Sequence, residues 1–259
     1  MLPAGAPGQR FALVLEYDGT DFFGSQRQPA RRTVQGVLEE ALLRVTQCPT
    51  AVTLAGRTDA GVHALGQVAS CQLVTRLGPG ELLRALNAVL PDDMAVLRCV
   101  AVPERFSARF SAQSRDYRYE IINRPQRSPL WRRRAHYVWQ RLDVEAMDKG
   151  CRELLGKHDF ASFSGAGRRE RTVRTVSHAT CLRVGTRVRV ELRADAFLPH
   201  MVRNIVGTLI WLGTGKLDLP GFVGVIRAAE RRLAGPTAPP EGLYLARVNY
   251  GDEWQGVFG

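Results

Sequence analysis

The segment AGRTDAGVHALGQV (55–68) sets one arginine, Arg57, two residues from one aspartate, Asp59, in a loop that follows a short apolar strand ending at Gly56. Gly61 permits a tight backbone turn just beyond them. A lone carboxylate in such a loop can serve as a nucleophile that also departs, dividing one hard step into easier ones. It can equally cap a turn or pair with Arg57, and spacing alone does not decide. Tyr117 and Tyr119 lie on one face of the alternating stretch RDYRY. There an aromatic ring can stack on a flat ligand or carry a hydroxyl toward a proton-transfer step, or it can fill a core. A metal-dependent nuclease would call for clustered carboxylates, and this motif holds one. The five cysteines, Cys48, Cys71, Cys99, Cys151 and Cys181, are widely spaced with no CxxC and no close histidine, so neither a disulfide framework nor a zinc site is expected.

The surrounding pattern supplies elements to hold these residues. Residues 10–19 read as a strand ending at an Asp-Gly turn. Thr33 caps a helical pattern in which Val34, Val37, Leu38, Ala41, Leu42 and Val45 share a face. A short strand over 51–56, the loop 57–63, an apolar stretch over 66–74, a helix over 79–89 and a strand over 94–102 complete a first half that alternates strand and helix. The second half follows more loosely. It has a strand over 114–122, a helical segment over 144–155, an antiparallel hairpin turning around Gly185, helices over about 200–212 and 219–233, and a closing strand over 242–250. No repeat and no low-complexity linker separates the halves, so two α+β subdomains joined through a continuous sheet are expected.

Thirty-six basic side chains, all but three of them arginine, face twenty-five acidic ones for a net charge of +11, which suits a polyanionic partner. Arginine excess also follows from a G+C-rich genome, so charge does not settle that partner. The arginine-rich segment 124–134, which includes Trp131, reads as an RNA-facing loop or as a solvated basic turn, and GAGRRERTVRT (165–175) as a basic loop over a cleft or a surface hairpin loop. No run of eighteen apolar residues appears, and the start MLPAGAPGQRF has no signal-peptide pattern, so a soluble protein of the cytoplasm is expected.

GRTDAGVHA (56–64) closely resembles the signature of the TruA family of tRNA pseudouridine synthases. The likeness continues through LEYDGTDFFGSQRQ (15–28), TVQG (33–36), FSARFSAQSRDYRY (106–119), HDFASFS (158–164), RTV (171–173), AFLPHMVRNIVG (196–207) and TAPPEGLYL (237–245). The resemblance implies that a uridine in the anticodon arm of tRNA, at positions 38 to 40, is isomerised by a catalytic Asp59. It implies that Arg57 fills the space left by the flipped nucleotide or holds its phosphate, that Tyr117 stacks on the uracil, that Arg203 pairs with the catalytic carboxylate, and that Leu243 walls the uracil pocket. Each has an ordinary alternative: an ion pair that only orients Asp59, core packing for Tyr117 and Leu243, and a helix-surface arginine for Arg203.

The fold implied is α+β, with two similar subdomains and a mostly antiparallel sheet faced by helices. One subdomain spans 1–104 and is completed by the strand 243–251, the other spans 105–242, and a basic cleft lies between them. A homodimer is implied as well, with no metal and no cofactor, since the reaction is a rearrangement. The other reading on the same scaffold is a tRNA-binding protein or chaperone without catalysis. Ser25 stands where many relatives carry an aromatic residue, which touches the expected RNA contacts at Gln26 and Arg27 and is expected to leave the Asp59 machinery unaffected.

Overall fold

The computed structural model describes residues 8–165 and 171–254. Among these, ten strands and five α-helices run β1 (Gln9–Tyr17), α1 (Val34–Thr46), β2 (Thr53–Leu54), β3 (His63–Leu73), α2 (Pro79–Val89), β4 (Met94–Ala101), β5 (Ala112–Asn123), β6 (His136–Val138), α3 (Val144–Arg152), β7 (Gly156–Asp159), β8 (Val173–Val184), β9 (Arg187–Ala194), α4 (Met201–Gly213), α5 (Leu219–Ala228) and β10 (Leu243–Tyr250). The fold is mixed α+β and its strands pair mostly antiparallel. The chain divides into two compact units, one of Met1–Gln113 with Leu245–Gly259 and one of Ser114–Tyr244. Among the described residues no helix is long and apolar enough to cross a membrane.

In the first unit the strands lie in the order β4, β1, β3, β10. Period-two alternation sends Phe11, Leu13, Leu15 and Tyr17 of β1 into the core while Glu16 faces solvent. Helix α1 begins where the Thr33 side chain accepts a hydrogen bond from Gly36 N–H at 3.2 Å, and it buries Val34, Leu38 and Leu42. Helix α2 opens with Pro79 in its first turn, and Glu81 reaches back to accept from Gly78 N–H at 2.8 Å. Its Leu82 and Leu86 are fully buried, each stabilising the unit by about 1.5–3 kcal/mol relative to exposure.

The second unit orders its strands β5, β9, β8, β7, with the short β6 pairing parallel to β5. Helix α4 runs through its core: Ile205, Val206 and Leu209 are fully buried, and so are Asn204 and Thr208. Gly150 of α3 lets the helices meet closely, since a Cβ there would lie 2.6 Å from Leu212. The helical segment read as 144–155 ends at Arg152, because the chain turns at Glu153 and enters β7 through Gly156 at φ +97. The helix read as 219–233 ends at Ala228. Ala229 adopts a left-handed conformation (φ 53), and Arg231 turns inward to bond Gly235 O, Asn204 Oδ1 and Thr237 Oγ1. These three bonds outweigh the helix propensity of the Ala-Ala-Glu-Arg-Arg run.

The five cysteines are free thiols. Burial pushes Cys71, Cys99 and Cys181 up to about 12, so they stay protonated and unreactive.

Candidate active site

The loop that carries Arg57 and Asp59 leaves β2 and enters β3, and polar side chains of the same unit hold it in place. Gln67, fully buried on β3, donates through Nε2 to Gly56 O at 2.8 Å and accepts at Oε1 from Gly56 N–H at 3.3 Å. Its amide thus replaces the next ladder partner, and the chain turns away from the sheet there. Thr58 is gripped from the other side. Its N–H donates to Ser25 Oγ at 2.9 Å, its carbonyl accepts from Ser25 N–H at 3.0 Å, and its hydroxyl pairs with Tyr17 OH at 2.8 Å. Burial pushes the Tyr17 phenol up to about 12, more than its bonds to Thr58 and Gln67 pull it down, so this partner is neutral.

Two close backbone approaches complete the clasp. A Cβ on Gly19 would lie 1.9 Å from Val62 O, and one on Gly24, which sits at φ +83, would lie 3.0 Å from Thr58 O. Gly61 at φ +79 donates its N–H to Phe22 O, and Val62 N–H closes the turn onto Asp59 O at 3.2 Å. Thr58 is thereby buried, Asp59 is left half-buried and Arg57 exposed. A half-buried carboxylate on a backbone with so many fixed points is suited to meeting a ligand at a set position.

Ser25 is 0% exposed and accounts for two of the bonds that hold Thr58, next in the chain to Asp59. The expectation that the residue at position 25 leaves the Asp59 machinery unaffected is therefore corrected. Its hydroxyl is the acceptor that the Thr58 N–H finds inside this buried space. Gln26 and Arg27 are exposed, and Arg27 pairs with Glu39 at 2.6 Å.

The other residues singled out lie in the second unit. Tyr117 is 8% exposed on β5, its ring edge-on to Phe197 with centroids 4.9 Å apart. Tyr119 is fully buried and its hydroxyl donates to Pro239 O at 2.7 Å. Burial raises its phenol well above the usual range, Glu241 adds to the rise and Arg203 opposes it. Arg203, in the first turn of α4, donates through Nε to Ala238 O at 2.7 Å, and its own carbonyl accepts from Ala238 N–H at 3.1 Å.

The strap leading to Leu243 lies against both neighbours. A Cβ on Gly207 would fall 1.7 Å from Pro236 O, and one on Gly242 would fall 2.6 Å from the Tyr119 ring. The structure thus gathers Arg203, Tyr119 and the buried Leu243 around one strap in the second unit, and Arg57 with Asp59 on one loop in the first. Of the basic loop read over 165–175, residues 166–170 lie outside the described residues. Sequence reasoning missed Tyr17, Thr58 and Gln67 as holders of the loop. The available signal was polar side chains at inward positions of otherwise apolar strands.

A family model described as tRNA pseudouridine synthase matches residues 13–111 and 151–251. The chain is 49% identical over 249 residues to a protein of Roseiflexus castenholzii named tRNA pseudouridine synthase A, covering 95% of this chain and 92% of that protein. Proteins of the same name from Methylococcus capsulatus (46% identical, 95% of this chain and 91% of that one) and Coxiella burnetii (43%, 93% of each) match over a similar extent. The match takes in the Asp59 loop and most of its holders in one unit and the Arg203 strap in the other, and the chain belongs to the tRNA pseudouridine synthase family.

Proposed function

We propose that this chain isomerises uridine to pseudouridine in tRNA, with Asp59 as the nucleophile. The observation that carries the reading is the Asp59 loop itself: a half-buried carboxylate on a backbone fixed by Ser25, Tyr17 and Gln67, in a chain 43–49% identical to relatives named for this activity. In the reaction the N1–C1′ bond breaks, the uracil turns, a C5–C1′ bond forms, C5 loses a proton and N1 gains one. Atoms and electrons balance within the substrate, so neither water nor a redox partner is consumed. A carboxylate suits the task because it can bond to the base at C6, or take a proton from the sugar on a glycal route, and then leave.

On this reading Arg57 occupies the space of the extruded nucleotide or holds its phosphate, which offsets an unstacking cost of a few kcal/mol. Tyr117 offers its ring to the uracil, Leu243 walls the base, and Arg203 supplies the cation that pairs with the carboxylate. The target lies in the anticodon arm, at positions 38 to 40. The RNA is taken into a basic cleft between two similar subdomains, and the working enzyme is a cytoplasmic homodimer without metal or cofactor.

The test is to incubate the purified protein with unmodified tRNA transcript and map pseudouridine by its carbodiimide adduct. Adduct stops at positions 38 to 40 with the wild type, and none with Asp59→Asn, are expected. Unaltered RNA with the wild type would instead leave a tRNA-binding protein or chaperone.

A further inference from the structure

We propose that the excursion 121–142 of the second unit is a further RNA-docking surface, built to hold phosphates and to stack on an unpaired base. The identity of the RNA as tRNA rests on the function proposed above. Residues 121–142 hold six arginines (Arg124, Arg127, Arg132, Arg133, Arg134 and Arg141) and no acidic residue. Among them stand two large apolar side chains in solvent, Leu130 at 88% and Trp139 at 64% exposure. Water-exposed tryptophan amid cations of one sign is the composition of a surface that tracks a nucleic-acid backbone and stacks its bases.

The scaffold beneath is fixed. Asn123, buried at the end of β5, donates to Val138 O at 3.0 Å and Gln140 O at 2.7 Å and accepts from Leu142 N–H at 3.2 Å, which ties the two ends of the excursion together. Between them β6 pairs with β5, Trp131 lies under the Arg187 guanidinium at 4.5 Å, and Tyr244 OH holds Arg134 O at 2.7 Å. The arginines are therefore presented on a preorganised frame, and little ordering entropy is lost on binding.

The same charge argues against a second copy of this chain as the occupant. A two-fold interface whose axis runs through the patch would set it against itself, arginine facing arginine with no carboxylate among 121–142 to neutralise it.

Arg127→Gln/Arg132→Gln/Arg141→Gln, Trp139→Ala and Trp139→Phe are all exposed changes and are expected to melt within a few degrees of wild type. With full-length tRNA transcript, the triple variant is expected to bind about tenfold more weakly at 0.1 M salt and to lower the slope of log Kd against log salt by about two to three. Its kcat at saturating tRNA is expected to stay within about twofold. Trp139→Ala weakens binding without changing that slope, and Trp139→Phe restores it. Unchanged affinity and slope in the triple variant overturn the proposal, as does a fall in solution mass with tRNA affinity intact, which makes the patch a contact between copies. Absence of pseudouridine with the wild type counts against the catalytic reading alone, since the binding comparison does not depend on turnover.

Discussion

Ser25 Oγ accepts the Thr58 N–H at 2.9 Å inside a fully buried site, so a serine thirty-three residues upstream of Thr58 fixes the residue that leads directly into Asp59. The bond is reciprocal at the level of the chain, because Ser25 N–H returns to Thr58 O at 3.0 Å. Ser25→Ala leaves a buried donor without its partner, at a cost of about 1–3 kcal/mol. A lower melting temperature and a fall in kcat of about tenfold or more are expected, with tRNA affinity little changed. Equal kcat in single-turnover assays would show that the clasp supports folding only.

Asp59→Asn keeps the size of the side chain and removes the nucleophile. Pseudouridine formation is expected to vanish while tRNA affinity stays within about tenfold, since one carboxylate counts for little against many phosphate contacts. Filter binding alongside adduct mapping checks both halves of the statement.

Arg57→Ala should harm turnover more than binding. The loss should shrink in a substrate whose target uridine is already unpaired, where less unstacking is required. The same loss on paired and unpaired substrates would remove Arg57 from any part in extruding the nucleotide.

Gly19→Ala places a methyl group 1.9 Å from Val62 O and is expected to cost about 3 kcal/mol with loss of activity, because the obstacle is backbone. Gly185→Ala is the control. It sits at φ +61 in the β8–β9 turn with nothing within 4 Å, so it is expected to cost about 1–2 kcal/mol of left-handed strain and to leave turnover unaffected. Chemical denaturation of the two variants separates the cases.

Tyr17 has its phenol raised from 10.0 to about 12 by burial, so the unfolded chain loses this proton at a lower pH than the folded one. Stability is therefore lost as pH rises from about 10 to 12, by up to about 3 kcal/mol from this group. Tyr17→Phe should be less stable at pH 7, having lost the bond to Thr58, yet decline less steeply above pH 10. Urea melts of both proteins across that range measure the difference.

The elements with strong local punctuation were legible in the sequence. Helix α2 occupies Pro79–Val89 as read, because proline opens it and Glu81 caps it, and Thr33 caps α1 through its hydroxyl as expected. The β8–β9 hairpin turns at Gly185 for the same reason. Strands β6 and β7 escaped notice, being three and four residues long and too short to show a period. The reading of α5 ran past Ala228 because the turn there is stabilised by Arg231 reaching distant residues, which no local window contains. On the loop, Asp59 and Arg57 were singled out by the resemblance of GRTDAGVHA to the family signature, whereas Ser25 and Gln67 were not read as its holders. A buried serine in a polar run looks like any loop residue until the chain it bonds to is known.

Gly207 lets the carbonyl of Pro236 settle directly onto the backbone of α4, and Arg203 one turn earlier grips Ala238 at both its nitrogen and its oxygen. The guanidinium and the leucine that ends the strap consequently share a single mechanical reference. Inserting or deleting a residue over 236–242 would move both at once, so length in this segment is constrained more tightly than the identity of any side chain in it.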